Sequence, residues 1–250
     1  AQPAWTSEEL ATNPHANSEK ANKVKTMFAA IARSYELNNT LHSFGRDRAW
    51  RRAAVRAATP QPTDHVLDVA CGTGDLARAF ARAGVAAVTG LDFTPQMLDV
   101  ARQHEREKPS PLPITYVEGD AMALPFESES FDILSIAFGI RNVAEPARAI
   151  AEFFRVLRPG GRLVILEFDR PAFPPIAWAN DLYCNHIMPF TATLISRDRS
   201  GAYHYLPRSV RTFLGRERMA SLITEAGFSD LKQRPLTFGV CVCHAARKPA

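Results

Sequence analysis

Acidic side chains stand at the ends of three successive apolar segments of this chain. Asp68, Asp92 and Asp120 each close or follow a run of apolar and β-branched residues, which is typical of a buried strand. Because the carboxyl ends of parallel strands meet at one edge of a sheet, we expect the three side chains to border the same crevice. Carboxylates accept hydrogen bonds from amines and hydroxyls and repel phosphates. The three acids therefore indicate a ligand with amine and hydroxyl donors and without phosphate groups.

A glycine-rich turn, Gly72-Thr73-Gly74, follows the first of these segments. Its glycines let the backbone approach a ligand closely, and the N-terminus of the helix behind them favours negative groups. The turn also fits the dinucleotide fingerprint, so taken alone it leaves a nicotinamide-dependent oxidoreductase open. Asp68 disfavours that alternative, because a carboxylate beside a pyrophosphate would put two like charges in a site of low dielectric constant. This carboxylate suits the ammonium group of an amino acid better.

A nucleoside that carries an amino acid has all of these donors, and S-adenosylmethionine is such a molecule. We expect Asp68 to face its ammonium group, Asp92 to accept from both ribose hydroxyls, and Asp120 to accept from the adenine amine. The predicted cofactor-binding residues are Asp68, Gly72, Thr73, Gly74, Asp92, Phe93, Asp120 and Ala121.

The composition limits the classes of protein to which this chain can belong. The 250 residues, 46% hydrophobic and 22% charged, suffice for one α/β domain with a substantial core. The net charge of +4 is too small and too dispersed to indicate nucleic acid binding. The four cysteines lack the spacing of a disulfide framework or a zinc site, and we predict no metal site. Neither a signal-peptide pattern nor an apolar run of about 18 residues is present, so we expect a cytoplasmic protein.

Strand and helix patterns alternate from residue 65 onward. This alternation predicts an α/β fold with a doubly wound, mostly parallel sheet of seven strands and helices on both faces. Residues 1–17 resemble a flexible lead-in, 18–60 carry helical patterns, and 170–213 interrupt the alternation as an inserted cap. Residues 18–250 thus form one predicted domain. The predicted strands span 65–70, 86–91, 114–118, 131–137, 162–168, 229–235 and 238–245, and the helices after the first strand span 75–83, 95–106, 146–157 and 216–226.

Several stretches resemble class I S-adenosylmethionine-dependent methyltransferases. They are Asp68-Val-Ala-Cys-Gly-Thr-Gly74, Gly119-Asp-Ala-Met-Ala-Leu-Pro-Phe126, Phe131-Asp132 and Arg155-Val-Leu-Arg-Pro-Gly-Gly161. From about residue 22 onward, more specific segments resemble the ubiquinone/menaquinone biosynthesis C-methyltransferases. They are Tyr35-Glu-Leu-Asn-Asn39, Phe138-Gly-Ile-Arg-Asn-Val143, Leu166-Glu-Phe168 and Ala202-Tyr-His-Tyr-Leu-Pro-Arg-Ser209. The resemblance adds Ala137, where some members have serine, to the predicted cofactor site.

This resemblance implies methylation of a ring carbon of a polyprenyl quinol, namely demethylmenaquinol, 2-polyprenyl-6-methoxy-1,4-benzoquinol or both. The carbon becomes nucleophilic when the neighbouring hydroxyl loses its proton, and a phenol pKa near 10 makes that cost about 4 kcal/mol at neutral pH. A cation or strong donor beside the oxygen supplies much of this in a dry pocket. We therefore hypothesise that Arg141 stabilises the developing phenolate and that Asn142 orients the ring hydroxyl. A surface or ion-pair role is the alternative for Arg141. In the cap, Tyr203 is a candidate base or stacking wall together with His204 and Tyr205, and aromatic packing is the alternative for these three residues.

The chain departs from the family pattern at several positions on the substrate side. These departures leave another small phenolic metabolite open as the substrate. A protein that only senses the cofactor is a further alternative, which the pair Arg141-Asn142 disfavours. The departing residues are Glu36, His42, Asp47 and Asp169.

The cap sequence combines apolar side chains with arginines, which indicates transient contact with an anionic membrane surface. Such a surface would admit a lipid-tailed substrate and keep the protein peripheral to the inner face of the cytoplasmic membrane. The alternatives are an oligomer interface, such as that of a homodimer, and a packed lid. The apolar residues are Phe173, Ile176, Trp178, Tyr183, Ile187, Met188, Phe190 and Phe213, and the basic residues are Arg197, Arg199, Arg208, Arg211, Arg216 and Arg218.

Overall fold

The computed structural model describes residues 3–107, 112–196, 198 and 200–250. Seven strands of these residues form one sheet. They are β1 (His65–Val69), β2 (Ala87–Asp92), β3 (Ile114–Glu118), β4 (Phe131–Ala137), β5 (Leu157–Phe168), β6 (Ser229–Leu236) and β7 (Cys241–Arg247). The α-helices are α1 (Ser7–Ala11), α2 (Lys20–Ile31), α3 (Tyr35–His42), α4 (Arg46–Ala58), α5 (Asp75–Arg82), α6 (Pro95–Arg106), α7 (Pro146–Val156), α8 (Pro174–Leu182), α9 (Met188–Ser196), α10 (Ala202–Thr212) and α11 (Arg216–Glu225).

The strands lie in the order β3-β2-β1-β4-β5-β7-β6, in which β1 to β5 run parallel and β7 is antiparallel to both of its neighbours. This arrangement confirms the predicted doubly wound sheet. Strand β5 begins earlier than predicted, because Leu157 pairs with Phe131 ahead of the turn 159–161. The strand order reverses between β1 and β4, so the carboxyl ends of these strands open a crevice.

Separate apolar layers cover the two faces of the sheet, because successive side chains of a strand point to opposite faces. From β4, Leu134 and Ile136 pack with α7 and α11, whereas Ile133 packs with α4, α5 and α6. All three side chains are fully buried. Burial on both faces explains why this strand is apolar at nearly every position.

The N-terminal segment differs from the predicted flexible lead-in. Thr6 and Glu9 form a reciprocal capping box that starts α1. Trp5 is only 2% exposed and stacks on Tyr205 of α10, with ring centroids 4.9 Å apart. The segment is therefore ordered by one buried aromatic and by a helix start whose Thr-x-x-Glu pattern is visible in the sequence.

The segment predicted as a cap lies between β5 and α11 and contains α8, α9 and α10. A π-helical turn, Tyr183–Ile187, joins α8 to α9. These two helices expose Trp178, Phe190 and Leu194 by about 70% each. None of the helices in the described part of the chain has the length and hydropathy required to cross a bilayer.

Candidate cofactor and substrate site

A cavity of about 810 Å³, counting its part open to solvent, lies at the carboxyl ends of β1 to β4. Helix α2 and the start of α3 cover one side of it through Ala21, Val24, Phe28 and Tyr35. The cavity therefore has a wall from the N-terminal helices and a wall from the strand ends.

Most of the predicted cofactor residues meet in this cavity. Gly72, Asp92, Phe93, Asp120, Ala121 and Ala137 line it. Asp68, Thr73 and Gly74 do not belong to the lining and lie in the layer behind it. The sequence reasoning missed further lining residues, which are Leu91, Thr94, Met97, Gly119, Met122, Val143 and Ala144. The only signal in the sequence for these residues is that they lie close to predicted site residues.

Asp92 ties the glycine turn to the start of the next helix. Its Oδ2 accepts a hydrogen bond from the Gly72 backbone N–H and its Oδ1 accepts from the Thr94 backbone N–H, each at 2.8 Å. Burial raises the pKa of this carboxyl above its usual value. Each carboxylate oxygen has a second lone pair, so Asp92 retains acceptor capacity toward the cavity that it lines.

Thr73 and Gly74 support the turn from behind. The Thr73 carbonyl accepts a 2.7 Å hydrogen bond from Arg78 of α5. Gly74 has φ +89°, and a Cβ at this position would collide with the Tyr116 hydroxyl. These two residues therefore keep the turn in shape without facing the cavity themselves.

Asp68 is a buried carboxyl with an unused acceptor. Its Oδ1 accepts a 2.8 Å hydrogen bond from the Ser135 hydroxyl, whereas Oδ2 has no hydrogen bond to any residue that the structure describes. Burial raises the pKa of Asp68 to about 7. A carboxylate in this state is stabilised by a cation, so its chemistry fits the ammonium group of an amino acid.

The segment after β4 carries the two residues predicted to act on the substrate. Phe138 adopts φ +58°, and Ile140–Asn142 form a 3₁₀ turn. Gly139 has no room for a side chain, since a Cβ would lie 2.5 Å from that of Ala70. The turn brings Asn142 to the cavity lining.

The structure places Arg141 elsewhere, in a buried ion pair. Its Nη1 donates to Glu167 Oε1 at 2.6 Å and to the Phe138 carbonyl at 2.9 Å, and its Nε donates to the Ser209 hydroxyl at 3.2 Å. Arg141 is 4% exposed and does not line the cavity. This arrangement differs from the predicted direct contact with a phenolate, because a carboxylate of the protein already neutralises the guanidinium.

Tyr203 also lies away from the cavity lining. It is buried in an apolar cluster with Met27, Ile31 and Met188, where α2, α9 and α10 meet. The structure therefore does not bring Tyr203 together with Asn142. Tyr205, two positions further along α10, contacts Asn142 instead.

The departures from the family pattern have partners within the protein. Glu36 pairs with Arg78 at 3.0 Å, and Asp47 pairs with Arg51 at 2.8 Å. The remaining two contacts are His42 Nδ1 to the Tyr183 hydroxyl at 2.9 Å and Asp169 to Arg216 at 2.7 Å. These four residues stabilise the N-terminal helices, the cap and the end of β5, and none of them lines the cavity.

Comparison with known proteins identifies the family. The model of the ubiE/COQ5 methyltransferase family matches residues 16–248. The chain belongs to the ubiE/COQ5 methyltransferase family. A demethylmenaquinone methyltransferase of Deinococcus radiodurans is 46% identical over 223 residues, which are 89% of this chain and 91% of that protein. A ubiquinone/menaquinone biosynthesis C-methyltransferase of Dinoroseobacter shibae is 42% identical over 92% of each chain.

Solved structures agree with this fold. A SAM-dependent methyltransferase of Thermotoga maritima superposes with a TM-score of 0.63 at 19% identity, over 90% of this chain and 99% of that one. Phosphoethanolamine N-methyltransferase 2 of Haemonchus contortus, solved with S-adenosyl-L-methionine, gives a TM-score of 0.59 at 19% identity. The superposition covers 80% of this chain and 52% of that one. Membership of the ubiE/COQ5 family confirms the predicted methyltransferase and excludes the nicotinamide-dependent oxidoreductase.

Proposed function

We propose that this ubiE/COQ5 family member transfers a methyl group from S-adenosylmethionine to a ring carbon of a polyprenyl quinol. The observation that carries the proposal is that Asn142 lines the same cavity as Asp92 and Asp120. One cavity thus joins acceptors suited to a nucleoside with a polar group suited to a ring hydroxyl. The names of the two related enzymes, which refer to menaquinone and ubiquinone biosynthesis, support the choice of a quinol.

The residues present fit S-adenosylmethionine. Asp92 and Asp120, which line the cavity, would accept from the ribose hydroxyls and from the adenine amine, respectively. Asp68 lies behind the lining and would take the ammonium group with its unused Oδ2. Asp120 Oδ1 accepts from the Met122 backbone N–H at 2.9 Å, which holds this carboxylate in place. Bound there, the cofactor supplies an electrophilic methyl group on a sulfonium.

The chain assists the substrate by orienting its hydroxyl and excluding water. The second amide hydrogen of Asn142 would donate to the ring oxygen, which lowers the cost of placing negative charge there. The apolar side chains of Val24, Phe28 and Met97 line the cavity and reduce its hydration. Arg141 contributes by holding the turn that carries Asn142, and a water molecule accepts the phenolic proton, since arginine is too basic to do so.

Labelled S-adenosylmethionine incubated with the protein and a panel of quinols tests this function. We expect label in demethylmenaquinol or in a methoxybenzoquinol, with Asn142→Ala at least tenfold slower than the wild type. Label in a soluble phenol and in neither quinol would assign another phenolic metabolite as the substrate. No labelled product from any member of the panel would contradict the proposal.

The pH dependence of cofactor binding should follow Asp68. The unfolded chain ionises this carboxyl near pH 4, whereas the folded protein retains the proton up to about pH 7, so Asp68 lowers folding stability as pH rises through that window. An ammonium ligand favours the ionised form. We therefore expect the affinity for S-adenosylhomocysteine to increase from pH 5.5 to 7.5, measured by calorimetry. Asp68→Asn should weaken binding at pH 7.5 by about 10- to 100-fold and remove this increase. An unchanged pH profile in the variant would contradict the assignment.

We also propose that the cap rests transiently on anionic lipid at the inner face of the cytoplasmic membrane. The predicted basic rim is smaller than expected, because Arg208, Arg216 and Arg218 bind other groups of the protein. Arg197 and Arg199 lie outside the described residues, and Met188 is buried. Support comes from the exposed apolar side chains of α8 and α9 and from Phe44, which is 77% exposed. The exposed basic residues Arg46 and Arg48 follow two and four positions after Phe44.

Vesicle co-sedimentation tests this contact. We expect binding to phosphatidylglycerol vesicles that weakens at high salt, and roughly tenfold weaker binding for the double variant Trp178→Ala, Phe190→Ala, because each ring adds apolar area that lipid would cover. Absence of binding at both salt concentrations would contradict membrane contact. A concentration-dependent doubling of mass in sedimentation velocity, lost in the same double variant, would show instead that a second copy covers this surface.

A further inference from the structure

The Asn142 side chain is held in one orientation by two hydrogen bonds. Its Nδ2 donates to the Phe138 carbonyl at 3.3 Å, and its Oδ1 accepts from the Tyr205 hydroxyl at 3.0 Å. A carbonyl oxygen can only accept, so the amide nitrogen must face Phe138 and the amide oxygen must face Tyr205. One hydrogen of Nδ2 has no acceptor among the described residues, and Asn142 lines the cavity.

The Tyr205 hydroxyl is a hydrogen-bond donor. It is 1% exposed, and burial raises the pKa of its hydroxyl to about 12, so the proton stays on the oxygen throughout the physiological range. Its ring stacks on Trp5 at an interplanar angle of 21°. Trp5 therefore covers one face of the ring and limits where the hydroxyl points.

The segment that carries Trp5 is fastened to the cap at several points. The backbone N–H groups of Ala4 and Trp5 donate to the Ser200 carbonyl at 3.0 and 3.3 Å. His15 Nε2 lies 2.8 Å from the Ser209 carbonyl oxygen. The Arg208 guanidinium bonds to the Thr12 carbonyl at 3.2 Å. These bonds lie along α10 on both sides of Tyr205, so the N-terminal segment holds this helix against the turn after β4.

We propose that Tyr205 is a positioning residue that sets the Asn142 amide for the substrate hydroxyl, and that Trp5 holds Tyr205 in place for this purpose. The proposal rests on the proposed function for the identity of the substrate. It assigns no contact between Tyr205 or Trp5 and the cofactor. Loss of either residue should consequently affect turnover and leave cofactor affinity unchanged.

Removing the Tyr205 hydroxyl leaves Asn142 Oδ1 without its donor. The amide can then rotate about its side-chain torsions, and the productive orientation becomes one of several. A hydrogen bond of this kind accounts for a change of about three- to tenfold. We expect Tyr205→Phe to lower kcat by that factor with little change in the KM for the quinol. Trp5→Ala should act in the same direction, and Trp5→Phe, which keeps an aromatic face, should restore most of the activity.

The experiment compares the full-length wild type with Tyr205→Phe, Trp5→Ala and Trp5→Phe. Thr212→Val serves as the control, because it removes a hydroxyl from the same helix that bonds only to the Arg208 carbonyl among the described residues. Three quantities are measured: kcat and KM with the quinol, the Kd of S-adenosylhomocysteine, and the side-chain amide signals of Asn142 in ¹⁵N-labelled protein, assigned by their loss in Asn142→Asp.

A lower kcat with unchanged Kd, together with shifted or broadened Asn142 amide signals in Tyr205→Phe and Trp5→Ala but not in Thr212→Val, would support the proposal. Wild-type kcat and unshifted amide signals in Tyr205→Phe would overturn it. If the wild type itself methylates no quinol, the proposed function fails, and the amide signals still decide whether Tyr205 and Trp5 position Asn142. If Tyr205→Phe does not fold, the two Trp5 variants give the same test.

Discussion

Replacing Arg141 by methionine should lower the free energy of unfolding by about 3–5 kcal/mol. The reason is that Glu167, which is 4% exposed, would keep its charge in the interior without the guanidinium that lies 2.6 Å from it. The Phe138 carbonyl and the Ser209 hydroxyl would lose a donor as well. Chemical denaturation with urea measures this change. The effect on methyl transfer should be read only at temperatures where the variant remains folded.

A double variant distinguishes the cost of an unpaired buried charge from the cost of lost packing. Arg141→Met combined with Glu167→Met removes both charges, and it should recover most of the lost stability, since paired removal of a buried ion pair is often neutral. Arg218→Met is the control, because its ion pair with Glu225 is more than half exposed and contributes at most about 1 kcal/mol. If the single variant is as stable as the wild type, Arg141 is not the residue that fixes the turn after β4.

Replacing Asp92 by alanine should weaken S-adenosylhomocysteine binding by about 10²- to 10⁴-fold. Two hydrogen bonds from ribose hydroxyls to a carboxylate, at about 1.5–3 kcal/mol each, account for this range. The variant also loses the acceptor that holds the Gly72 and Thr94 N–H groups, so the glycine turn is expected to loosen. Isothermal titration calorimetry measures the binding constant, and thermal unfolding without ligand reports the loosening.

Asp99→Ala provides the matched control for this measurement. Asp99 lies on α6, and its side chain is 75% exposed in an ion pair with Arg102. The substitution changes the net charge by the same amount as Asp92→Ala and should leave binding within a factor of two. Equal affinities for Asp92→Ala and the wild type would remove Asp92 from the cofactor site.

The sheet and the acids of the cofactor site could be predicted because they depend on local patterns. Strands β1 to β4 are rich in apolar residues, and Asp92 and Asp120 follow directly from where the second and third strands end. The direction of Arg141 could not be predicted in this way. It depends on a 3₁₀ turn and on Glu167, a partner that lies 26 positions later on a neighbouring strand. A sequence places two adjacent residues at a strand end, but the turn decides which of them faces the cavity.

The structure of the N-terminal segment could also be predicted only in part. The capping box of Thr6 and Glu9 was available as a local signal for a helix. The stack of Trp5 on Tyr205 joins residues at opposite ends of the chain, and no periodicity reports such a contact. The polar composition of the N-terminal segment therefore predicted flexibility, whereas the buried indole ring of Trp5 orders this segment.

The contacts around Asn142 also have an order in time. During synthesis from the N-terminus, the acids Asp92 and Asp120 leave the ribosome before Glu167 and Tyr205, the partners that fix the turn after β4. The acids proposed to take the nucleoside are therefore synthesised before the partners that fix the half that orients the acceptor ring. Strand β4, which carries the turn, has its Leu134 and Ile136 buried in one cluster with Met219 and Leu222 of α11. This cluster is complete only when the last third of the protein has folded, so the support of Asn142 and the core of the sheet share the same late elements.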